Sequence, residues 1–197
     1  MNTLKTILVP IDFSVGSRSA LDQAARLAGL NSAILHVLHV VDIAAVGMIA
    51  DSRNMSFERQ AAIATEGARE ALVRWLAQAG APDGCQSTIV VGVPLHEILE
   101  HVKALKPDLV VAGITGSGES EAGAGSLAHR LARKVPVKVL LVRANHPNAF
   151  RKIVACIDFS ETAREVAAQA RRVAIQDGAR VDFLHVWQEP WLSTPYA

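Results

Sequence analysis

Short apolar runs alternate with longer amphipathic stretches over residues 1–145 of the chain. The short runs are rich in Val, Ile and Leu and end near Pro, Gly or Asp, which is typical of strands buried on both faces. The longer stretches repeat apolar residues every three or four positions, which indicates helices. The predicted strands are Thr6–Ile11, Ala33–Val41, Ser87–Val91, Leu109–Ala112 and Val137–Val142, and the predicted helices are Ser17–Leu30, Phe57–Ala79, Leu95–Leu105 and residues 127–135.

This order of elements predicts an α/β fold. Right-handed crossovers place five such strands in one open parallel sheet with helices on both faces. Residues 42–56 show no clear period and are predicted to be a linker.

The first strand, helix and second strand are repeated later in the chain. Residues 152–187 align without a gap with residues 6–41, each position lying 146 residues later. The run Asp12-Phe13-Ser14 thereby matches Asp158-Phe159-Ser160. The repeat predicts two domains of one type, a complete one over residues 1–145 and a partial βαβ unit over residues 146–197. A lone βαβ unit leaves apolar faces without a partner.

Composition and charge exclude several classes of function. The formal net charge is +1 with no basic tract, which argues against nucleic-acid binding. No apolar run approaches the ~18 residues of a membrane span, and the N-terminal pattern is not that of a signal peptide. Cys85 and Cys156 lack metal or redox spacing, so we expect free thiols in a reducing cytoplasm.

Asp12 follows the first predicted strand directly. In open α/β sheets, ligands bind outside the carboxyl ends of the strands, so Asp12 is placed to accept hydrogen bonds from a base or sugar. The alternative is that Asp12 or Ser14 only caps the turn into the next helix.

A glycine-rich loop follows the fourth predicted strand. It runs from Gly113 through Gly116 to Gly125, and Ser126 is predicted to be the N-cap of the next helix. A strand, a glycine loop and a helix N-terminus together can hold a phosphate, because glycine admits close backbone approach and free N–H groups favour an anion. The loop lacks the Lys of a P-loop, and the alternative is a tight connection without a ligand.

The histidines do not suggest a metal site. His36 and His39 lie three residues apart on a strand and so point to opposite faces. His96 and His101 lie five residues apart on a helix and do not share a face. No metal ligands are therefore predicted.

The loop resembles the C-terminal signature of the universal stress protein family, and Gly113, Gly116, Gly125 and Ser126 fill its positions. The resemblance implies a Rossmann-like sheet of strand order 3-2-1-4-5, so that Asp12 and the loop face one cleft. Two features depart from the family pattern. Only eight residues separate Gly116 from Gly125, one fewer than usual, and the loop carries Glu119 and Glu121 where basic residues are common.

In ATP-binding members of this family the loop holds the ribose and phosphates, so the resemblance implies an ATP site. Its residues would be the main chain of Val9, Pro10 and Ile11 with Val40 at the base, Asp12 at the base or ribose, Gly113 at the ribose, and Gly116, Gly125, Ser126 and Leu127 at the phosphates. Because two carboxylates repel a triphosphate, Mg²⁺ or Mn²⁺ is a candidate counter-ion.

The leading hypothesis is a stress-response regulator that binds ATP and is not an enzyme. The alternative is a nucleotide-free dimeric adaptor, which the short acidic loop favours. A slow ATP hydrolase comes third, because the Ser-Gly-Gly loop of related ATP-cleaving enzymes is absent after the first strand. The resemblance also implies a homodimer that forms through the fifth strand or the partial repeat.

Overall fold

A computed structural model describes residues 4–116, 125–145 and 149–187. The chain divides into two compact units, residues 1–147 and residues 148–197. The carboxylates Glu119 and Glu121 and the last ten residues, 188–197, lie outside the described residues. A membrane-spanning helix is not found in the part of the chain that the structure describes.

The first unit is one parallel sheet with helices on both faces. Its strand order is β3-β2-β1-β4-β5, which confirms the predicted order and fold class. The strands are β1 Thr6–Ile11, β2 Ile34–Asp42, β3 Gln86–Gly92, β4 Leu109–Gly113 and β5 Lys138–Val142, and the helices are α1 Val15–Asn31, α2 Ile43–Ser52, α3 Phe57–Ala79, α4 Pro94–Leu105 and α5 Ser126–Lys134.

Alternating side chains of the strands build a separate core on each face of the sheet. In β1, Ile7, Val9 and Ile11 join the core that α1 and α3 cover. Leu8 points the other way and joins the core that α4 and α5 cover. Strands buried on both faces read as continuous apolar runs, which is why they were predictable from the sequence.

The predicted linker over residues 42–56 contains helix α2, so that prediction is wrong. The Asp42 carboxylate accepts a hydrogen bond from the Ala44 N–H at 2.9 Å and caps the helix. Val46 and Ala50, one turn apart, are buried, whereas Met48 and Ile49 are exposed. Because apolar residues lie all around α2, its sequence shows no helical period.

Helix α5 begins one residue away from its predicted start. Gly125 is the N-cap, without a side-chain hydrogen bond, and Ser126 is the first helical residue. The Gly125 N–H donates to the Ile114 carbonyl oxygen at 2.7 Å, which holds Gly125 beside the end of β4. Glycine serves as an N-cap without a side chain, so the prediction of Ser126 as the cap is wrong.

The second unit is a βαβ element, as the repeat predicts. Strands β6 Lys152–Cys156 and β7 Arg180–Leu184 are parallel and are joined by helix α6 Glu161–Asp177. The pair Ile153–Val181 in this unit corresponds to the pair Ile7–Leu35 in the first, so the register is the same.

Candidate functional site

A cavity of about 610 Å³ opens at the carboxyl ends of β1, β2 and β4. The ladder between β1 and β4 pairs Ile7 with Leu109 and Leu8 with Val110. Both strands continue beyond these pairs, and the cavity begins where the pairing ends. This is the topological switch point of the sheet, where open α/β folds bind ligands.

Small and apolar side chains of three helices form much of the cavity wall. They are Ala64 and Ala68 of α3, Pro94 and Ile98 of α4, and Leu127, Ala128 and Leu131 of α5. The volume lies within the range of roughly 300–1,000 Å³ that small-molecule sites occupy. The cavity is therefore large enough for a small molecule, and its helical wall offers apolar surface.

The turn after β1 holds Asp12 by three hydrogen bonds. Asp12 Oδ1 accepts from the Ser14 N–H at 3.1 Å and from the Ser17 hydroxyl at 2.5 Å, and Ser17 Oγ accepts from the Asp12 N–H at 3.0 Å. Ser14 caps α1 by accepting from the Ser17 N–H at 3.1 Å. The capping interpretation is thus confirmed for Ser14. Asp12 forms hydrogen bonds within the same turn and also lines the cavity.

His39 and Phe13 pack against each other beside this turn. Phe13 has a φ of 62°, in the left-handed region that a bulky residue rarely adopts. Its ring centroid lies 4.4 Å from that of His39. His39 Nδ1 lies 3.0 Å from the Ile11 carbonyl oxygen. Because a carbonyl only accepts, the neutral His39 ring carries its proton on Nδ1.

The pKa of His39 is lowered from its ordinary value of 6.5, mainly by burial. The Ile11 carbonyl and the charge of Asp12 act in the opposite direction but do not cancel this effect. Burial also lowers the pKa of His36. His36 lies with Leu8 and Leu38 on the other side of the sheet, as the sequence predicts.

Two glycines allow the start of α1 to contact the end of β4. A Cβ on Gly113 would lie 2.6 Å from the Gly16 carbonyl carbon, and a Cβ on Gly16 would overlap the Thr115 carbonyl oxygen. Real Cβ atoms essentially never approach backbone so closely, so both positions exclude a side chain. This backbone contact sets the distance between the Asp12 turn and the glycine loop.

Gly116 lies directly beside the Asp12 carboxylate, and both residues line the cavity. A Cβ on Gly116 would lie 2.9 Å from Asp12 Oδ2. Any larger residue at this position would force the carboxylate to move or would fill the space in front of it. Gly116 therefore keeps the Asp12 carboxylate accessible to the cavity.

Two backbone hydrogen bonds close the base of the glycine loop. The Ile114 N–H donates to the Val142 carbonyl oxygen at 2.9 Å, and the Ile114 carbonyl oxygen accepts from the Gly125 N–H at 2.7 Å. They bring the N-terminus of α5 beside β4. The first N–H groups of a helix have no partner within the helix, and with the helix dipole they favour an anion.

Seven of the ten predicted site residues line the cavity. These are Pro10, Ile11, Asp12, Val40, Gly113, Gly116 and Leu127. The Val9 side chain is buried in the core instead. Gly125 lies at the base of the loop with its N–H bonded to Ile114, and Ser126 is exposed in the first turn of α5.

Sequence reasoning missed Gly16, Ser17, His39 and Thr115. Gly16 could have been found from its place in the first turn of a helix. Glycine is a poor helix former, so its presence there suggests that another part of the backbone approaches closely. The Ser17 hydroxyl, three residues after the N-cap, gave no comparable signal. Among the described residues, no group of three or more His, Cys, Asp or Glu side chains could hold a metal ion.

We expect the His39→Asn variant to lose less stability than the wild type between about pH 7.5 and pH 5.5. Because folding lowers the pKa of His39, the unfolded chain binds the proton more readily. Wild-type stability is therefore complete above about pH 6.5 and falls as the pH drops below it towards the folded-state pKa. Asn keeps a donor for the Ile11 carbonyl but does not titrate.

Thermal melts at the two pH values measure this difference. His96→Gln, an exposed change on α4, is the control and should lose as much stability as the wild type. An acid-induced loss in His39→Asn as large as that of the wild type would contradict the assignment.

Comparison with known proteins supports one family. The model of the universal stress protein family matches residues 3–143 and 149–196. Universal stress protein YxiE of Bacillus subtilis is 33% identical over 146 residues, which cover 70% of this chain and 97% of that protein.

Solved structures show the same fold. Universal stress protein UspA from Lactobacillus plantarum has a TM-score of 0.57 and 27% identity, over 73% of this chain and all (100%) of that one. A universal stress protein from Archaeoglobus fulgidus has a TM-score of 0.69 over 93% of this chain and 68% of that one. Its 18% identity shows a likeness of fold alone. By sequence over both matched segments and by fold, this chain belongs to the universal stress protein family.

Proposed function

We propose that the chain is a cytoplasmic stress-response regulator that binds ATP in its first domain, residues 1–145. The observation that carries the proposal is the cavity that brings together Asp12, directly after β1, with Gly113 at the end of β4 and Gly116 beyond it. A carboxylate that accepts hydrogen bonds, an apolar wall and a helix N-terminus are the three features that a base, a ribose and phosphates need.

Each part of the nucleotide has a proposed place. The base lies against Val40 and the main chain of residues 9–11, where the wall is mostly apolar. The ribose hydroxyls donate to Asp12 near Gly113. The phosphates lie towards Gly116 and the start of α5, with Gly125, Ser126 and Leu127 as their proposed contacts.

Binding without efficient turnover is the proposed activity. The described titratable residues of the cavity wall are Asp12, His39 and Asp42. Each already contacts nearby main chain: Asp12 the Ser14 N–H, His39 the Ile11 carbonyl oxygen, and Asp42 the Ala44 N–H. These contacts fix the local backbone, and the feature that supports binding without turnover is the sequence after β1, which lacks the Ser-Gly-Gly loop of related ATP-cleaving enzymes.

We expect titration calorimetry to detect one ATP site per chain, and Mg²⁺ or Mn²⁺ to tighten binding at least about tenfold, about 1.4 kcal/mol. The reason is that Glu119 and Glu121 belong to the proposed phosphate loop, where two carboxylates would repel a triphosphate unless a cation lay between the carboxylates and the phosphates. Glu119→Gln/Glu121→Gln is the matched variant and should bind equally well in EDTA and in Mg²⁺.

Absence of ATP binding in both Mg²⁺ and EDTA would contradict the proposed function. Equal affinity of the wild type in the two conditions would contradict only the role of the carboxylates.

We also propose that the chain forms a homodimer through β5 or through the partial repeat, residues 146–197. The repeat has apolar side chains that remain uncovered. Leu8 and Leu38 of the first unit are 2% and 1% exposed under α4 and α5. Their equivalents Val154 and Leu184 are 53% and 47% exposed. Strand β5 lies at the edge of its sheet, and unpaired edges invite pairing.

Deleting residues 147–197 should leave a folded first domain with a changed oligomeric state or lower stability. The reason is that the deletion removes the uncovered apolar surface, and a partner that covers this surface stabilises the folded chain. Light scattering and thermal melts on both proteins measure the effect.

Val154→Lys is a milder variant that places a charge on the same face. A full-length chain that is monomeric at tens of micromolar, with a melting temperature unchanged by the deletion, would contradict the proposed assembly.

A further inference from the structure

The two repeats build the same turn after their first strands. Ser160 N–H donates to Asp158 Oδ1 at 3.0 Å, as Ser14 N–H donates to Asp12 Oδ1 at 3.1 Å. His185 Nδ1 lies 2.8 Å from the Ile157 carbonyl oxygen. The rings of Phe159 and His185 lie 4.5 Å apart, and Phe159 has a φ of 63°. These contacts therefore belong to the βαβ fold that the two repeats share.

Three consecutive positions after the shared Asp-Phe-Ser run differ between the repeats, and the second and third of them bear on the cavity; the first is Val15, which corresponds to Glu161. Gly16 corresponds to Thr162, and Ser17 corresponds to Ala163. A side chain at position 16 would overlap the Thr115 carbonyl oxygen, so a threonine there is incompatible with the approach of the glycine loop. An alanine at position 17 cannot form the hydroxyl bonds that hold Asp12. The second repeat has neither feature at these positions.

Ser17 has an unusual place for a helical serine. Its side chain is buried, with 5% exposure, and it lines the cavity. Its hydroxyl donates to Asp12 Oδ1 and accepts from the Asp12 N–H, so it joins the carboxylate to its own backbone. With Oδ1 held in this way, Oδ2 is directed towards Gly116.

We infer that Ser17 is the positioning residue of the nucleotide site, and that the change to Thr162 and Ala163 removes this site from the second repeat. The inference rests on the proposed function and names how that site is organised. Ser17 itself does not contact the ligand. It keeps the Asp12 carboxylate in one orientation before binding, so that the ligand does not have to order it.

Titration calorimetry with ATP on four proteins tests the inference: the wild type, Ser17→Ala, Asp12→Ala and the double variant. Ser17→Ala should weaken binding about tenfold, whereas the same change in the Asp12→Ala background, which has no carboxylate to position, should alter affinity less than about twofold. Ala163→Ser is the matched control, because it adds the hydroxyl to the second turn and should change neither affinity nor stoichiometry. An equal loss in both backgrounds would mean that Ser17 acts only through general stability, and no loss in Ser17→Ala would also overturn the inference.

A crystal structure of Ser17→Ala without ligand separates this inference from the proposed function. We expect the Asp12 carboxylate to turn away from its wild-type position. An unmoved carboxylate would overturn the positioning role, whether or not the protein binds ATP. If the wild type binds no ATP, the proposed function is wrong, and this structure alone decides the role of Ser17.

Discussion

Replacing Gly113 by alanine should destabilise the first unit by about 2 kcal/mol and lower its melting temperature by about 4–8 °C. The added Cβ would lie 2.6 Å from the Gly16 carbonyl carbon and 2.9 Å from its oxygen. Both atoms belong to the backbone at the start of α1, so no flexible side chain can move aside. Either α1 or β4 has to shift, and the packed core between them resists that shift.

Gly67→Ala is the matched control for this change. Gly67 is exposed in the middle of α3, and a Cβ there meets nothing within 4 Å. Alanine is favoured over glycine in a helix by roughly 0.5–1 kcal/mol, so this variant should be slightly more stable than the wild type. Equal melting temperatures for Gly113→Ala and the wild type would show that the contact between β4 and α1 is loose.

Gly116→Val should lower the affinity for ATP by at least about a hundredfold, or about 2.7 kcal/mol, without changing the far-ultraviolet circular dichroism. Gly116 lies outside every helix and strand, so secondary structure does not depend on it. Its Cβ would lie 2.9 Å from Asp12 Oδ2, and the rest of the valine side chain would enter the cavity. The variant thus blocks backbone approach and displaces the carboxylate together.

Asp12→Ala should also weaken ATP binding, because it removes the proposed acceptor for the base or ribose. Asp158→Ala is its matched control, since the second turn has the same backbone hydrogen bond but belongs to no proposed site. Calorimetry on the three variants gives the comparison. Full ATP binding by both Gly116→Val and Asp12→Ala would place the ligand elsewhere on the chain.

The sequence predicts best those helices and strands whose ends are marked by a capping residue, a glycine or a proline. Strand β1 and helix α3 match their predicted bounds residue for residue. Ser56 caps α3 at its start, and Gly80 ends it in the left-handed conformation. Helix α2 was missed because its apolar residues do not keep to one face. The start of α5 was misplaced because a backbone contact to Ile114, which local sequence does not encode, holds Gly125 as the cap.

The candidate site was predictable in outline and not in its supporting contacts. Asp12, Gly113 and Gly116 follow from their places after buried strands, where residue type alone suggests a ligand. The roles of Gly16 and Ser17 arise from folding, because Gly16 meets a residue from far along the chain and Ser17 turns its hydroxyl back onto Asp12. The repeat offered a further clue, since both positions differ in the second repeat although the Asp-Phe-Ser run before them is the same.

Nuclear magnetic resonance with ¹⁵N-labelled full-length protein tests the nucleotide site most directly. On addition of ATP and Mg²⁺, we expect the largest shift changes at the amides of Asp12, Val40, Gly113, Gly116 and Leu127. The equivalent amides of the second repeat, at Asp158 and Val186, should not move. Shift changes confined to other surfaces, or none at saturating ATP, would contradict the proposal that this cavity binds a nucleotide.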